Sequence, residues 1–303
     1  MAEGIYNEYL RYIDSVFTRY ATHKDFNIAE ISETVKKLCV FVKDWSRYIL
    51  RITPTQEEHS KRYLVYHSMR TTVLAISIGL QLNMVMPKLV ELGVATLLHE
   101  IGMLKLPPQI YMSTKPLSSA EKTQLFTHPI LSYNILKESN FPLTVQLGVL
   151  DHHERENGSG YPRRIQGANI SLYAKIIAVA CSFEAITAPR HFKEARTTFD
   201  AMIEMLKNPD RQYDDTVLKA LLYSLSLYPI GAYVYLSNGK IAQVTDVSTN
   251  SPKNPIVQII GEKDENGNPR TVQTDDTNTK IVRVMNKKEA EDVIAAIQKN
   301  AKK

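Results

Sequence analysis

The segment from His152 to Pro162 constrains this chain more than any other. It reads His-His-Glu-Arg-Glu-Asn-Gly-Ser-Gly-Tyr-Pro and follows an apolar stretch that begins at Leu143. Two adjacent histidines at the end of a helix can direct both rings at one metal ion, since imidazole is the commonest protein metal ligand. The glycines permit left-handed backbone angles and close backbone approach, and the proline stiffens the exit of the turn. We therefore expect a helix that ends beside a ligand-binding loop.

The apolar pattern predicts helices over most of the chain. Residues 3–52 carry apolar side chains at three- and four-residue intervals, and a break from His23 to Asn27 divides them into two helices. Further helices are predicted at 57–82, 87–101, 118–126, 129–139, 143–153, 170–187, 194–207 and 213–226. The first two helices carry no ligand-binding motif. We interpret them as a cap or a dimerisation segment, which makes a homodimer one expectation.

The pattern changes after Pro229. Residues 232–236 and 241–245 flank Asn238-Gly239 and predict a hairpin. Further strands are predicted at 255–260, 271–273 and 280–284, followed by a helix at 288–300. The sequence therefore predicts a mainly α protein in three parts. These are an N-terminal helical region at 1–55, a helical domain at 56–228, and a small β appendage with a terminal helix at 229–303.

Composition excludes several classes of protein. No run of eighteen apolar residues and no basic-then-apolar start occur, so we expect no membrane segment and a cytoplasmic location. Two cysteines, Cys39 and Cys181, do not form a disulfide framework. The net charge of +5 is mild, and no basic stretch is interleaved with aromatic residues. Binding to a nucleic-acid polymer is therefore not expected.

The segment 152–162 resembles the signature of the HD-GYP family, His-His-Glu-Arg-x-Asp-Gly-x-Gly-Tyr-Pro. It matches eight of the nine fixed positions, and Asn157 stands where the family has aspartate. The family's other motifs occur in the same order at His67, at His99 to Met103, at His128-Pro129, and at Ala180 to Thr187. Agreement of several separated motifs in order and spacing is far more specific than any one of them.

The resemblance implies an HD-domain helical bundle and a metal-dependent phosphodiesterase. Such an enzyme hydrolyses cyclic di-GMP to linear pGpG, to GMP, or to both. It uses two divalent metal ions, for which iron or manganese suits imidazole and carboxylate ligands. The implied ligands are His67, His99, Glu100 and Cys181 for the first ion and His128, His152 and His153 for the second, with Glu100 as the bridge. The implied catalytic residues are His99 and Glu100.

The resemblance also implies where the substrate binds. Arg190 and Lys193 occupy basic positions that the family uses for phosphate, and Gly158 and Tyr161 belong to the loop beside the site. Other basic side chains near the site, at Arg155, Arg163 and Arg164, also suit a phosphate-bearing ligand. The Gly-Tyr-Pro element further implies contact with a partner signalling protein.

Three positions in the implied site differ from the family. Glu100 replaces aspartate and keeps the charge, whereas Met103 replaces lysine and cannot donate a hydrogen bond. Cys181 also replaces aspartate: as a thiolate it can ligate zinc or iron, and as a neutral thiol it is a small apolar group. Glu184 lies one helical turn later. Glu184 either supplies the lost oxygen ligand or makes a structural hydrogen bond, and we favour the hydrogen bond.

These substitutions leave a second function open. An impaired member of the family could act as a cyclic di-GMP receptor or as a protein-interaction scaffold. The five retained histidines favour the enzyme, because a scaffold needs no full set of metal ligands. A hydrolase for another nucleotide is disfavoured by the complete Gly-Tyr-Pro loop. Structural or surface roles are expected for His23, His59, His191 and Asp151.

Overall fold

The structure is a computed structural model that describes residues 2–50, 62–113, 115–188, 198–225, 228, 231–246, 254–285 and 287–301. The chain divides into two compact units, residues 1–224 and 225–303. Each unit is described by itself. The three-part division with boundaries after residues 55 and 228 stays a prediction.

The first unit is built from helices. In chain order they are α1 (Ala2–His23), α2 (Ile28–Ile49), α3 (Tyr63–Gln81), α4 (Met86–Leu98), α5 (Pro108–Tyr111), α6 (Ser119–Leu125), α7 (His128–Glu138), α8 (Leu143–Leu150), α9 (Leu172–Thr187), α10 (Thr198–Lys207) and α11 (Asp215–Ser224). Short 3-10 segments lie at Ile101–Lys105, Gly167–Asn169 and Pro209–Arg211. The predicted mainly helical fold class is confirmed.

Helix α3 lies at the centre of the first unit. It packs against α1, α2, α4, α9 and α11. Nearly every side chain from Leu64 to Gly79 is buried, which is typical of a core helix with apolar residues on all sides. Because His67 lies in this stretch, its imidazole is enclosed by the bundle.

Two predicted helices end earlier than their apolar pattern indicated. Helix α4 ends at Leu98 rather than at residue 101, and α8 ends at Leu150 rather than at residue 153. The next histidine along the chain, His99 or His152, places Nδ1 2.6 Å from the carbonyl oxygen three residues earlier. A side chain that occupies one of the last carbonyls of a helix stabilises its end. These two ends place histidines in the candidate site.

The second unit is a five-stranded antiparallel sheet followed by a helix. The strands are β1 (Tyr233–Leu236), β2 (Ile241–Asp246), β3 (Ile256–Lys263), β4 (Pro269–Gln273) and β5 (Ile281–Val284), and the helix is α12 (Lys287–Ala301). The strand order is β4-β3-β2-β1-β5. The predicted hairpin is present: Tyr235 pairs with Ile241, and Gly239 takes the positive φ that this turn needs. No described helix has the length and apolar character to cross a bilayer.

Candidate metal centre

Five histidines from four parts of the bundle form one cluster. His67 lies near the start of α3, His99 directly follows α4, and His128 begins α7. His152 and His153 lie in the turn after α8. The first four are at most 1% exposed, whereas His153 is partly exposed. Centroids of neighbouring rings are 4.1 to 5.2 Å apart. The cluster is therefore closed on one side and reachable on the side of His153.

Three of these histidines are oriented by the backbone in the same way. Nδ1 of His99, His128 and His152 lies 2.6 to 2.7 Å from the carbonyl oxygen three residues earlier in the chain. A carbonyl only accepts hydrogen bonds, so Nδ1 carries the hydrogen in each ring. In a neutral imidazole the other nitrogen, Nε2, then has a free lone pair. Each ring therefore presents a metal-binding atom to the cluster.

The fourth ring, that of His67, is oriented by a carboxylate. Its Nδ1 lies 2.5 Å from Oε2 of Glu184, and Oε1 of Glu184 lies 3.6 Å from Nε of Arg70. A carboxylate behind a histidine fixes the tautomer and the ring orientation of a metal ligand. The interpretation of Glu184 as a hydrogen-bonding residue is confirmed. Arg70 was not predicted, although its position three residues after His67 places both on one face of α3.

The Nε2 atoms of four histidines face each other in two pairs. Nε2 of His67 lies 3.3 Å from Nε2 of His99, and Nε2 of His128 lies 3.2 Å from Nε2 of His152. Two ring nitrogens without hydrogens cannot bond to each other, and their lone pairs repel unless a proton or a cation lies between them. The arrangement therefore requires a proton or a metal ion between the two nitrogens of each pair.

Glu100 lies between these two pairs. Its Oε1 is 3.6 Å from Nε2 of both His67 and His99, and its Oε2 is 3.5 Å from Nε2 of His128. The carboxylate is 3% exposed, and Oε2 has no hydrogen-bond partner among the described residues. A buried anionic oxygen without a partner is costly unless a cation compensates it. One oxygen of Glu100 therefore faces the pair formed by His67 and His99, and the other faces His128 of the second pair.

The donor atoms sort into two groups that share Glu100. The first contains His67, His99, Glu100 and Cys181, and the second contains Glu100, His128, His152 and His153. Within each group the ligand atoms lie within 4.8 Å of one another. The structure therefore brings together all seven predicted metal ligands, in the division expected from the sequence. A cluster of this composition could hold metal, as HD domains do.

The electrostatics of the cluster keep most donors in their metal-binding form. Burial lowers the pKa of His128, and burial together with the neighbouring rings holds the pKa values of His152 and His153 well below the usual range. Burial alone would raise the pKa of Glu100, but the surrounding histidines, His128 foremost, hold it well below the usual range. Neutral imidazole and ionised carboxylate are the forms that bind metal.

Cys181 completes the first group from helix α9. Its Sγ lies 3.6 Å from Nε2 of His67, and the side chain is buried. Burial raises the pKa of this thiol, but His67 and His99 outweigh it and lower the pKa to about 7. Burial alone would lower the pKa of His67, whereas Tyr63, Glu184 and Cys181 raise it well above the usual value. A thiolate is the ligating form of cysteine, so Cys181 has the chemistry and the position of a ligand.

Gly102 allows α7 to approach the segment that carries Glu100. A Cβ atom at Gly102 would lie 2.4 Å from the carbonyl oxygen of His128 and 2.5 Å from the amide nitrogen of Ser132. Ser132 joins the same two segments, because its Oγ accepts a bond from Gly102 N at 2.8 Å and donates to His99 O at 2.9 Å. Sequence reasoning missed Ser132, although it lies one helical turn after His128. Close packing here brings the two ligand groups together.

Gly160 places Tyr161 against the cluster. A Cβ atom at Gly160 would lie 2.4 Å from the carbonyl oxygen of His153 and 2.5 Å from the amide nitrogen of Arg155. The amide of Tyr161 donates to His153 O at 3.2 Å, and the two rings stack with centroids 4.6 Å apart. Only glycine permits this approach, so the loop residue Tyr161 is held beside a candidate ligand.

Two buried acids hold the same loop. Arg163 donates to Asp151 through Nε at 2.9 Å and through its terminal nitrogen at 2.5 Å. Oε1 of Glu154 accepts the amide hydrogens of Arg163 at 2.6 Å and of Arg164 at 3.0 Å. The structural role expected for Asp151 therefore has a physical basis. The guanidinium group of Arg163, which the sequence associated with phosphate binding, is therefore paired with Asp151. The contacts of Glu154 were not foreseen.

The remaining predicted site residues differ in what the structure shows of them. Arg190 and Lys193 lie outside the described residues, as do His59 and His191. Gly158 takes a φ of +76° in the loop, and its amide donates to Arg155 O at 2.8 Å. Asn157, at the family's aspartate position, accepts bonds from the amide and hydroxyl of Ser159 and donates to Asp210 O. The substrate-binding roles stay predictions.

Met103 occupies a buried position in the 3-10 segment after Glu100. It is 5% exposed, and its amide donates to the carbonyl oxygen of Glu100 at 2.9 Å. The family has lysine at this position. A buried thioether offers neither a positive charge nor a hydrogen to a phosphate.

The HD domain family model matches residues 53–217. This span is more than half of the 303 residues, and the chain belongs to the HD domain family. A solved HDG"Y"P protein from Bdellovibrio bacteriovorus matches with a TM-score of 0.59 at 17% identity, covering 73% of this chain and 70% of that chain. At this identity the match shows the fold. The resemblance to HD-GYP proteins is confirmed.

Relatives of known activity are similar over most of the chain. Cyclic di-GMP phosphodiesterase PdeB of Borreliella burgdorferi is 30% identical over 236 residues, which are 77% of this chain and 62% of PdeB. A cyclic di-GMP phosphodiesterase of Pseudomonas aeruginosa is 30% identical over 202 residues, which are 66% of this chain and 49% of that enzyme. This chain thus spans less than two thirds of either relative.

Proposed function

We propose that the chain is a metal-dependent phosphodiesterase that hydrolyses cyclic di-GMP to linear pGpG, to GMP, or to both. The two relatives described above are named for activity on this dinucleotide. The observation that carries the proposal is the position of Glu100, whose two oxygens face two separate groups of histidines. A carboxylate shared between two metal ions is the arrangement that two-ion phosphoester hydrolysis uses.

Two divalent ions would be held by the two groups described above. Imidazole and carboxylate ligands favour iron or manganese, and Cys181 adds a softer donor that also suits iron. When bound, the ions would lower the pKa of water and neutralise charge on the phosphoryl oxygens. Glu100 would remain ionised between them, and His99 beside it would stay oriented by the carbonyl of Thr96. These two are the catalytic residues of the proposal.

The substrate would approach from the side of His153 and Tyr161. Both are partly exposed, whereas the other histidines of the cluster are buried. Gly158 lies in the same loop as Tyr161, and we propose that this loop contacts the substrate. Arg190 and Lys193 are proposed to bind phosphate. Arg190→Ala should weaken cyclic di-GMP binding by roughly ten-fold at low salt, since a charge-assisted hydrogen bond contributes about 1.5–3 kcal/mol, and should leave metal content unchanged in the same samples.

Metal content and turnover test the proposal together. Protein purified without oxygen should contain about two ions per chain, and iron or manganese should support hydrolysis of cyclic di-GMP. His99→Ala and His153→Ala should each lower the metal content and turnover. His23→Ala is the matched control, because His23 is exposed at the end of α1. Metal-free protein with full activity would overturn the proposal.

Met103 favours a second candidate function. Its buried thioether stands where the family lysine would be, so a step that needs this positive charge would be impaired. A chain with intact metal ligands and slow chemistry could act as a cyclic di-GMP receptor or as a scaffold. Binding of cyclic di-GMP without turnover would support this alternative. A signalling partner at the Gly-Tyr-Pro loop, a homodimer and a cytoplasmic location stay predictions.

A further inference from the structure

Three rings form a stack that runs from the metal cluster towards solvent. Tyr161 stacks on His153 with centroids 4.6 Å apart, and Phe126 stacks on Tyr161 at 4.3 Å. The interplanar angle is 24° at both steps. We name His153, Tyr161 and Phe126 the aromatic ladder. Its outermost ring, Phe126, is 46% exposed although it lies only two ring contacts from a candidate metal ligand.

The backbone around Phe126 is ordered by its own hydrogen bonds. Phe126 ends the turn after α6, where its amide donates to Lys122 O at 2.9 Å. The amide and the hydroxyl of Thr127 both donate to Gln124 O, at 3.0 and 2.6 Å. The ring is therefore positioned without a bound partner. A preorganised aromatic surface loses little conformational entropy when it binds a ligand.

We infer that the exposed face of Phe126 binds a purine base of the substrate by stacking. Aromatic side chains bind bases in this way because every base presents a flat π surface. A phosphate held at the cluster must enter on the side of His153, since the other four rings are buried. The base attached to that phosphate then lies on the side where the aromatic ladder reaches solvent.

The identity of the base as guanine rests on the proposed function. Phe126 belongs to none of the motifs from which the site was predicted, and its exposure is not visible in the sequence. Its neighbour Tyr161 was expected to contact substrate directly. One face of the Tyr161 ring packs on His153 and the other on Phe126, so neither face is available for stacking, and the contact of Tyr161 with substrate stays a prediction. Phe126 is thus the ring of the ladder with an outer face available for stacking.

A pair of ligands that differ by the base tests the inference. GMP and ribose 5-phosphate share a sugar and a phosphate, but only GMP carries a purine. Calorimetry on the metal-loaded protein should show tighter binding of GMP. Phe126→Ala should reduce GMP affinity by about ten-fold, within the range expected for one stacked base, and should leave ribose 5-phosphate affinity unchanged. Phe126→Tyr should keep GMP affinity, and Phe126→Leu should not.

The controls separate stacking from a change in stability or in metal binding. Ile130→Ala removes another exposed apolar side chain, 42% exposed on α7, and should alter neither affinity. Metal content should stay the same in every variant. Equal effects of Phe126→Ala on both ligands, or no effect on GMP, would overturn the inference.

Turnover distinguishes this inference from the proposed function. With cyclic di-GMP, Phe126→Ala should raise KM by about ten-fold and change kcat by less than about two-fold. If the parent protein does not hydrolyse cyclic di-GMP, the proposed function fails. The difference between GMP and ribose 5-phosphate still decides the role of Phe126 in that case.

Discussion

The two ligand groups that share Glu100 are held in place by different kinds of contact. In the second group, His128 and His152 are oriented by carbonyls three residues earlier, so their geometry is local to a helix end. In the first group, His99 is oriented in the same way by Thr96, but His67 is oriented by Glu184, which lies 117 residues away in the chain. The second group therefore depends on helix ends, whereas the first group depends in addition on the packing of α9 against α3.

Glu100→Gln should have the largest effect, because it removes the negative charge that both groups share. Metal content should fall at both groups. Turnover should drop by more than the 10–100-fold that is typical when a residue hydrogen-bonded to a metal ligand is mutated. Glu154→Gln is the matched control, since Glu154 is equally buried but binds loop amides. Elemental analysis beside turnover is the measurement, and two retained ions would contradict the shared role of Glu100.

Gly102→Ala should break the contact between the two groups. The new Cβ would meet backbone atoms of His128 and Ser132, which cannot move as a flexible side chain can. We expect a loss of about 3 kcal/mol in the free energy of unfolding, at the upper end of the range for overpacking. Gly4→Ala is the control, because a Cβ there has no neighbour within 4 Å. Denaturant unfolding of both variants measures the difference. Equal stability would show that α7 can shift freely.

Glu184→Gln should weaken the first group alone. The amide can no longer act as an anionic acceptor for Nδ1 of His67, so metal affinity at this group should fall about 10–100-fold. Titration with a competing chelator should resolve one weakened ion and one unchanged ion. Asp151→Asn is the control, because it removes another buried carboxylate. It should disturb the loop that Arg163 holds, but it should not weaken one ion and leave the other unchanged. Parallel weakening of both ions would show that the two groups are not independent.

Cys181→Asp should have the smallest effect and should strengthen the first group. It supplies an anionic oxygen ligand at neutral pH, whereas Met103→Lys adds only charge near the substrate. We expect metal affinity at the first group and turnover to rise a few-fold in Cys181→Asp, corresponding to about 1 kcal/mol, and metal affinity to stay unchanged in Met103→Lys. Unchanged metal affinity in Cys181→Asp would show that the thiolate is already a full ligand.

Much of the fold could be predicted because its signals are local. Three- and four-residue apolar spacing marked the helices, and Asn238-Gly239 marked the hairpin. The ends of α4 and α8 could not be placed, because His99 and His152 themselves occupy carbonyls of the preceding turn. Apolar periodicity carries no information about such a side-chain bond.

The sequence by itself determined which residues have ligand chemistry and in which order they occur. Five histidines, Glu100 and Cys181 were identifiable because donor type and motif spacing are properties of the chain. Tertiary packing alone decided which oxygen of Glu100 faces each group of histidines, and that Arg163 pairs with Asp151. It also decided that Phe126 faces solvent at the end of a stack of rings. These outcomes depend on distances between distant segments, which are set by burial and close packing of the whole bundle.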